Sequence, residues 1–150
     1  MIDLNSEDDL REAVELMYFA YRGFTAHADK TLAARSLNRV HHRLLYFIGR
    51  DPEQTVGDLI KTLAVSKQAL NARLRQLIEM GLVRSAPDAD DRRLKRLALT
   101  ARGARLEATL TGAQITLLSE AFKSSGTTKA DGWRDVMATL SASAKSRKKE

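Results

Sequence analysis

The chain has no cysteine among its 150 residues. Disulfides, thiolate metal sites and thiol redox sensing are therefore excluded. Proline occurs only twice, and the eight glycines are scattered, so no glycine-rich loop can cradle a phosphate. No nucleophile motif, zinc-peptidase signature or catalytic carboxylate pair stands out, and neither an enzyme nor a cofactor is expected. No apolar run is long enough to span a bilayer. The acidic opening stretch Met1–Asp9 is unlike a signal peptide, so a cytoplasmic protein with no membrane role is the expectation.

What is present is basic and helical. The formal net charge is +6, which favours a polyanionic partner such as nucleic acid. The charge is uneven: residues 1–30 carry −4, residues 31–54 carry +2, and residues 55–100 and 101–150 carry +4 each. The polyanion should meet the middle or the tail of the chain, where Lys145, Arg147, Lys148 and Lys149 cluster.

Apolar spacing predicts a helix over about 7–28, opened by Ser6 and Asp9, and a second over about 38–49 that closes at Asp51 and Pro52. Thr55 and Asp58 mark the start of a short amphipathic helix. After Ala64 and Val65, Ser66 caps another helix that Gly81 stops. Two helices joined by so short a turn form a helix-turn-helix pattern. Leu82–Ser85 then reads as a strand, Pro87–Asp91 as a turn and Arg93–Leu99 as the returning strand, which together make a wing. Thr100 caps a long helix over about 101–123, and a last helix covers about 129–145. The expected fold class is mainly α with a small β-hairpin wing. Residues 38–100 form the winged helix-turn-helix lobe, and residues 1–37 and 101–150 a helical dimerisation region.

In the helix after Ser66, Leu70, Leu74 and Leu77 make the inward stripe. Gln68, Asn71 and Arg75 then share the opposite face, and side chains of these types suit major-groove base edges. Ser66 and Lys67 suit phosphates. Arg92, Arg93 and Lys95, with Arg96, make the wing basic and able to approach a minor groove. A solvated polar face is the bland alternative, but the wing and the basic charge favour DNA contact. The carboxylates at Asp88, Asp90 and Asp91 lack the ligand spacing of a calcium loop.

On the helix over 101–123, Leu99, Gly103, Leu106, Leu110, Ala113, Leu117 and Ala121 recur at steps of four and three, a coiled-coil-like seam. Leu106, Leu110 and Leu117, with Trp133 and Leu140 of the last helix, are the dimerisation candidates, and the first three should be buried between subunits or against the terminal helices. Six of the eight aromatics precede residue 50: Tyr18, Phe19, Tyr21, Phe24, Tyr46 and Phe47. Core and dimer packing accounts for them. The sharper reading is a small-molecule pocket, for which Tyr18, Tyr21, Tyr46 and the neighbouring His42 are candidates. His27, His41 and His42 leave a zinc- or other metal-responsive repressor as an alternative, although adjacent residues on a helix point about 100° apart, and no metal ligand is assigned. A winged-helix module for protein contact is the other alternative.

From Arg39 to Gly103 the sequence resembles the MarR family of winged helix-turn-helix regulators. The resemblance rests on the run from Thr55 to Ser66, Leu74 to Leu77, Met80 to Arg84, the wing residues Asp91 to Arg93, and the Leu99–Gly103 junction. It implies a homodimer whose terminal helices intertwine, with one winged lobe on each subunit; the two-fold symmetry implied by the 101–123 seam adds the expectation of double-stranded DNA with a near-palindromic operator. The resemblance also implies repression relieved by a small aromatic or other effector. Asp91 would steady the wing and Arg93 would reach the minor groove. Ala64 stands at a turn position that is commonly glycine in the family. The family's cysteine-based peroxide sensing is ruled out.

Overall fold

The computed structural model describes residues 1–146, so the basic stretch Arg147 to Lys149 lies outside the described residues. Six helices and one hairpin follow in order: α1 (Glu7–Ala33), α2 (Arg39–Arg50), α3 (Val56–Leu63), α4 (Lys67–Glu79), β1 (Val83–Pro87), β2 (Lys95–Leu99), α5 (Ala101–Ser125) and α6 (Thr127–Ser146).

Side chains predicted as caps open these helices. Ser6, Ser66 and Thr100 each accept the backbone N–H three residues on. Thr55 and Asp58 cap α3 reciprocally. At α2 the partner in the capping box is an imidazole: Asn38 N–H donates to His41 Nδ1 at 3.0 Å. Ala64 closes α3 in the left-handed region at φ 52°, so the chain makes the helix-turn-helix corner without glycine.

The elements depart from the sequence expectations where packing decides the outcome. Helix α1 runs to Ala33 rather than to about 28, because Ala28 and Leu32 are buried in the core. The hairpin pairs Val83 with Leu99 through to Pro87 with Lys95. The first strand is therefore longer, and the second shorter, than alternation suggested. Asp91 and Arg93 belong to the turn. Only Gly126 separates α5 from α6.

The core centres on α2. Leu44, Leu45 and Ile48 are wholly buried, with Leu59 of α3, Leu70 and Leu77 of α4, Leu97 of β2, and Leu32 and Leu110 from the flanking helices. The boundaries expected near residues 37 and 100 thus pass through one continuous apolar cluster. Two of the five dimerisation candidates lie in that cluster. Leu106 and Leu110 are buried inside the protomer, whereas Leu117, Trp133 and Leu140 remain exposed.

The junction between wing and α5 explains the Leu-Thr-x-x-Gly pattern. Thr100 N–H donates to the Leu82 carbonyl at 3.1 Å, and its hydroxyl donates to the Gly81 carbonyl at 2.6 Å. Gly103 sits so close to Leu82 that an added Cβ would lie 1.9 Å from its carbonyl oxygen. Glycine alone lets α5 leave the hairpin at this angle.

Candidate nucleic-acid interface

Helix α4 presents a divided surface. Leu70, Leu74 and Leu77 are buried, which turns Gln68 and Arg75 out to solvent with Asn71 half-buried between them. These three, with Lys67 and Ala72, line one shallow groove. Ser66 stands at the helix start, where its oxygen accepts from Ala69 N–H at 3.2 Å. Its hydroxyl proton remains to donate to a phosphate. The helix N-terminus adds a partial positive charge at the same end.

The wing is organised by two carboxylates. Asp91 accepts from Arg93 three times, at 3.0 Å each: from the backbone N–H, from Nε and from Nη2. Arg93 is 90% exposed, so this ion pair adds little stability. Its effect is to orient the guanidinium at the hairpin tip. Arg92 and Lys95 are exposed beside it.

Sequence reasoning missed Asp88, which it left within a polar turn. One Asp88 oxygen accepts Asp90 N–H at 3.1 Å and Asp91 N–H at 3.0 Å, and the other accepts Arg96 Nε at 2.7 Å. Arg96 Nη1 also donates to the Glu53 carbonyl at 3.2 Å. The wing is thereby tied to the α2–α3 connection, which also bonds to β2 through Glu53 and Gln54. The signal available in the sequence was the Asx-turn spacing, an Asp followed by turn residues two and three positions later. Arginine hydrogen bonds hold both Asp88 and Asp91 below the usual carboxylate range.

A second feature lies between α1, α2 and α5, a cavity of about 370 Å³. Of the four pocket candidates, Tyr21, His42 and Tyr46 line this cavity and Tyr18 does not. One turn toward the exposed start of α1, Tyr18 is 59% exposed and packs edge-on against Phe19. The sequence reading also overlooked Arg39 and Arg43, which share a face of α2 at i, i+4 and bring two cations to the cavity wall. Arg39 lies over the Tyr21 ring at 5.3 Å and pairs with Asp29 through both Nε and Nη2. That pairing holds the Asp29 carboxyl below its ordinary range. Arg43 donates to the Tyr21 hydroxyl at 3.2 Å.

His41 and His42 have capping and packing roles, whereas His27 is exposed on α1. His42 Nε2 lies 3.1 Å from Thr111 Oγ1, whose proton goes to Glu107. Burial pulls His42 below the ordinary imidazole range, with Glu107 opposing. His41 bonds both Asn38 and Gln76. Among the described residues, no group of three or more His, Asp or Glu side chains is disposed to hold a metal.

Comparison with known proteins places this geometry. A MarR family profile matches residues 36–94. The HTH-type transcriptional regulator PetP of Rhodobacter capsulatus is 42% identical over 135 residues, spanning 90% of this chain and 81% of that protein. The structure of Streptococcus pneumoniae FabT in complex with DNA aligns with a TM-score of 0.81 at 14% identity, covering 91% of this chain and 98% of that one. A crystal structure of a MarR family transcription regulator aligns with a TM-score of 0.77 at 19% identity over 95% of each chain. At these identities the two structures show the shared fold. With the close relative, the family profile and the winged lobe in agreement, the chain belongs to the MarR family of DNA-binding helix-turn-helix transcription regulators.

Proposed function

We propose that two copies of this chain form a homodimeric repressor that reads a near-palindromic operator with paired α4 helices. The carrying observation is the stripe of Gln68, half-buried Asn71 and Arg75 on a helix whose opposite face is buried in the core. These side chains contact base edges in the major groove. Ser66, Lys67, Arg92 and Lys95 contact phosphates, and Arg93, oriented by Asp91, enters the adjacent minor groove. The terminal helices supply the dimer contact. Leu10, Val14 and Met17 on α1, Leu117 on α5, and Trp133, Val136 and Leu140 on α6 all leave apolar surface exposed. The complex of FabT with DNA supports the same use of this fold here.

In vitro selection of duplexes by the wild-type protein, followed by variants of the selected site, tests this reading. Gln68→Ala, Asn71→Ala or Arg75→Ala should relax base preference by about 1–3 kcal/mol where the residue makes a bidentate base contact. Arg93→Ala should weaken binding to many sequences and make its salt dependence shallower by about one phosphate contact per subunit. Unchanged selectivity in all three α4 variants would refute the recognition-helix assignment.

Effector relief is supported by the cavity between arm and lobe. The Asp29–Arg39 pair and the Tyr21–Arg43 hydrogen bond tie α1 to α2 across it. An aromatic carboxylate could stack among the tyrosines and draw a guanidinium from these ties. The dimer population would then shift toward lobe spacings unfit for the operator. Titrating benzoate and substituted benzoates into the protein–duplex complex should release DNA from wild type and not from Arg43→Ala. Retention of DNA by wild type across the series would remove this reading.

A further inference from the structure

The leucine face of α4 holds the helix in the lobe and sets its roll only to the tolerance of apolar packing, whose contacts are non-directional and individually weak. Base reading is less tolerant. With side-chain tips about 6 Å from the axis, a roll of roughly 15° moves them about 1.5 Å, enough to spoil a bidentate contact. A directional contact on the flank of α4 is therefore valuable, and one is present. His41 is 1% exposed, and its Nε2 lies 2.9 Å from Gln76 Oε1. The ring's tautomer is dictated by its other nitrogen. Asn38 N–H donates to Nδ1, so the proton of the neutral ring sits on Nε2 and is donated to Gln76. Both ring nitrogens are thus occupied, and the ring is fixed to the first turn of α2. Arg73 Nη1, on the same flank, donates to the same Gln76 oxygen at 3.4 Å. At the far end, Arg102 donates to the Met80 carbonyl and Thr100 to that of Gly81.

We propose that Gln76 is a positioning residue for base recognition: held by His41, it fixes the roll of α4 and so aims Gln68, Asn71 and Arg75 without touching DNA itself. The proposal rests on the reading of α4 as the recognition helix. It separates two quantities. Electrostatic attachment to any duplex depends on charge, which Gln76 does not alter. Discrimination among sequences depends on aim, which it does.

The test uses the full-length protein, a duplex selected by the wild type, and a shuffled duplex of the same length and composition. Gln76→Leu should bind the shuffled duplex like wild type but lose about tenfold in the ratio of selected to shuffled affinity. Gln76→Glu, which keeps an acceptor for the Nε2 proton, should retain the wild-type ratio. A urea midpoint for each variant shows that the comparison is between folded proteins. If Gln76→Leu does not fold, His41→Asn takes its place, because it keeps an acceptor for Asn38 N–H but is too short to reach α4. The same loss of ratio is expected. Asn71→Ala and Arg75→Ala run in parallel. If they lose discrimination while the folded flank variant keeps the wild-type ratio, the positioning role is overturned and the recognition helix stands. If all of them keep the wild-type ratio, the recognition-helix reading has failed with it.

Discussion

The winged lobe and the helical arms solve opposite problems with the same residue types. In the lobe, leucine faces from α2, α3, α4 and β2 converge until most are fully buried, and the described residues leave no buried side-chain polar atom unpaired. Along the arms, Leu10, Val14, Met17, Trp133, Val136 and Leu140 remain between 42% and 70% exposed. A helix such as α1, with 27 residues and only Thr25, Ala28 and Leu32 buried, extends well beyond what its own protomer can cover. The lobe closes its core with Leu32, Leu106 and Leu110 from the arms, whereas the outer parts of the arms leave their apolar side chains exposed. The hydrophobic periodicity of α5 passes from one regime to the other. Leu106 and Leu110 belong to the lobe, and Leu117, two turns later, to the arm.

The largest effect should come from crossing that line with one substitution. Leu110→Asp places a carboxylate where no solvent reaches and should cost about 4 kcal/mol or more, unfolding the chain. Leu140→Asp on the half-exposed face of α6 should leave the lobe folded and weaken the dimer by roughly 1–3 kcal/mol. Circular dichroism with sedimentation separates the two outcomes. A folded monomer from Leu110→Asp would break the comparison.

A smaller effect should come from pH, and it should fall on the lobe. Burial lowers the pKa of both His41 and His42. Below the ordinary imidazole value of about 6.5, the unfolded chain binds protons that the folded chain refuses. Stability should therefore be full above that value and decline as pH falls through the folded values. Asp29, Asp88 and Asp91 are also held low, so their contribution is lost only at more acidic pH, below the ordinary carboxylate range. The urea midpoint should drop between pH 7.5 and pH 5.5, and less so in His42→Asn. A midpoint that rises toward pH 5.5 would contradict the buried neutral rings.

The lobe was also the more legible region in sequence. Ser66, Thr55 and Thr100 announce helix starts because capping is local chemistry, and Leu70, Leu74 and Leu77 announce a face because helical period alone sets it. For Leu106 and Leu110 two readings stayed open, because a heptad-like seam looks the same whether its partner is another chain or the other helices of the protomer. Tyr18 was placed in the pocket because composition cannot say where along a 27-residue helix the neighbouring helices stop. Asp88, Arg39 and Gln76 were passed over for a shared reason. Each acts through a partner distant in sequence or on another element, at Arg96, Asp29 and His41, and even the Asx-turn spacing at Asp88 marks a turn and not its Arg96 partner.

In the proposed dimer, two lobes are joined by arms that cover each other's exposed apolar faces, and the pair reads a two-fold site on DNA. Footprinting on a selected duplex, with the mass of the same complex measured in solution, tests it most directly. Two chains should sit on one duplex, protecting two half-sites about 10 bp apart, centre to centre, in a near-palindrome. A single chain protecting one unsymmetrical half-site would contradict it.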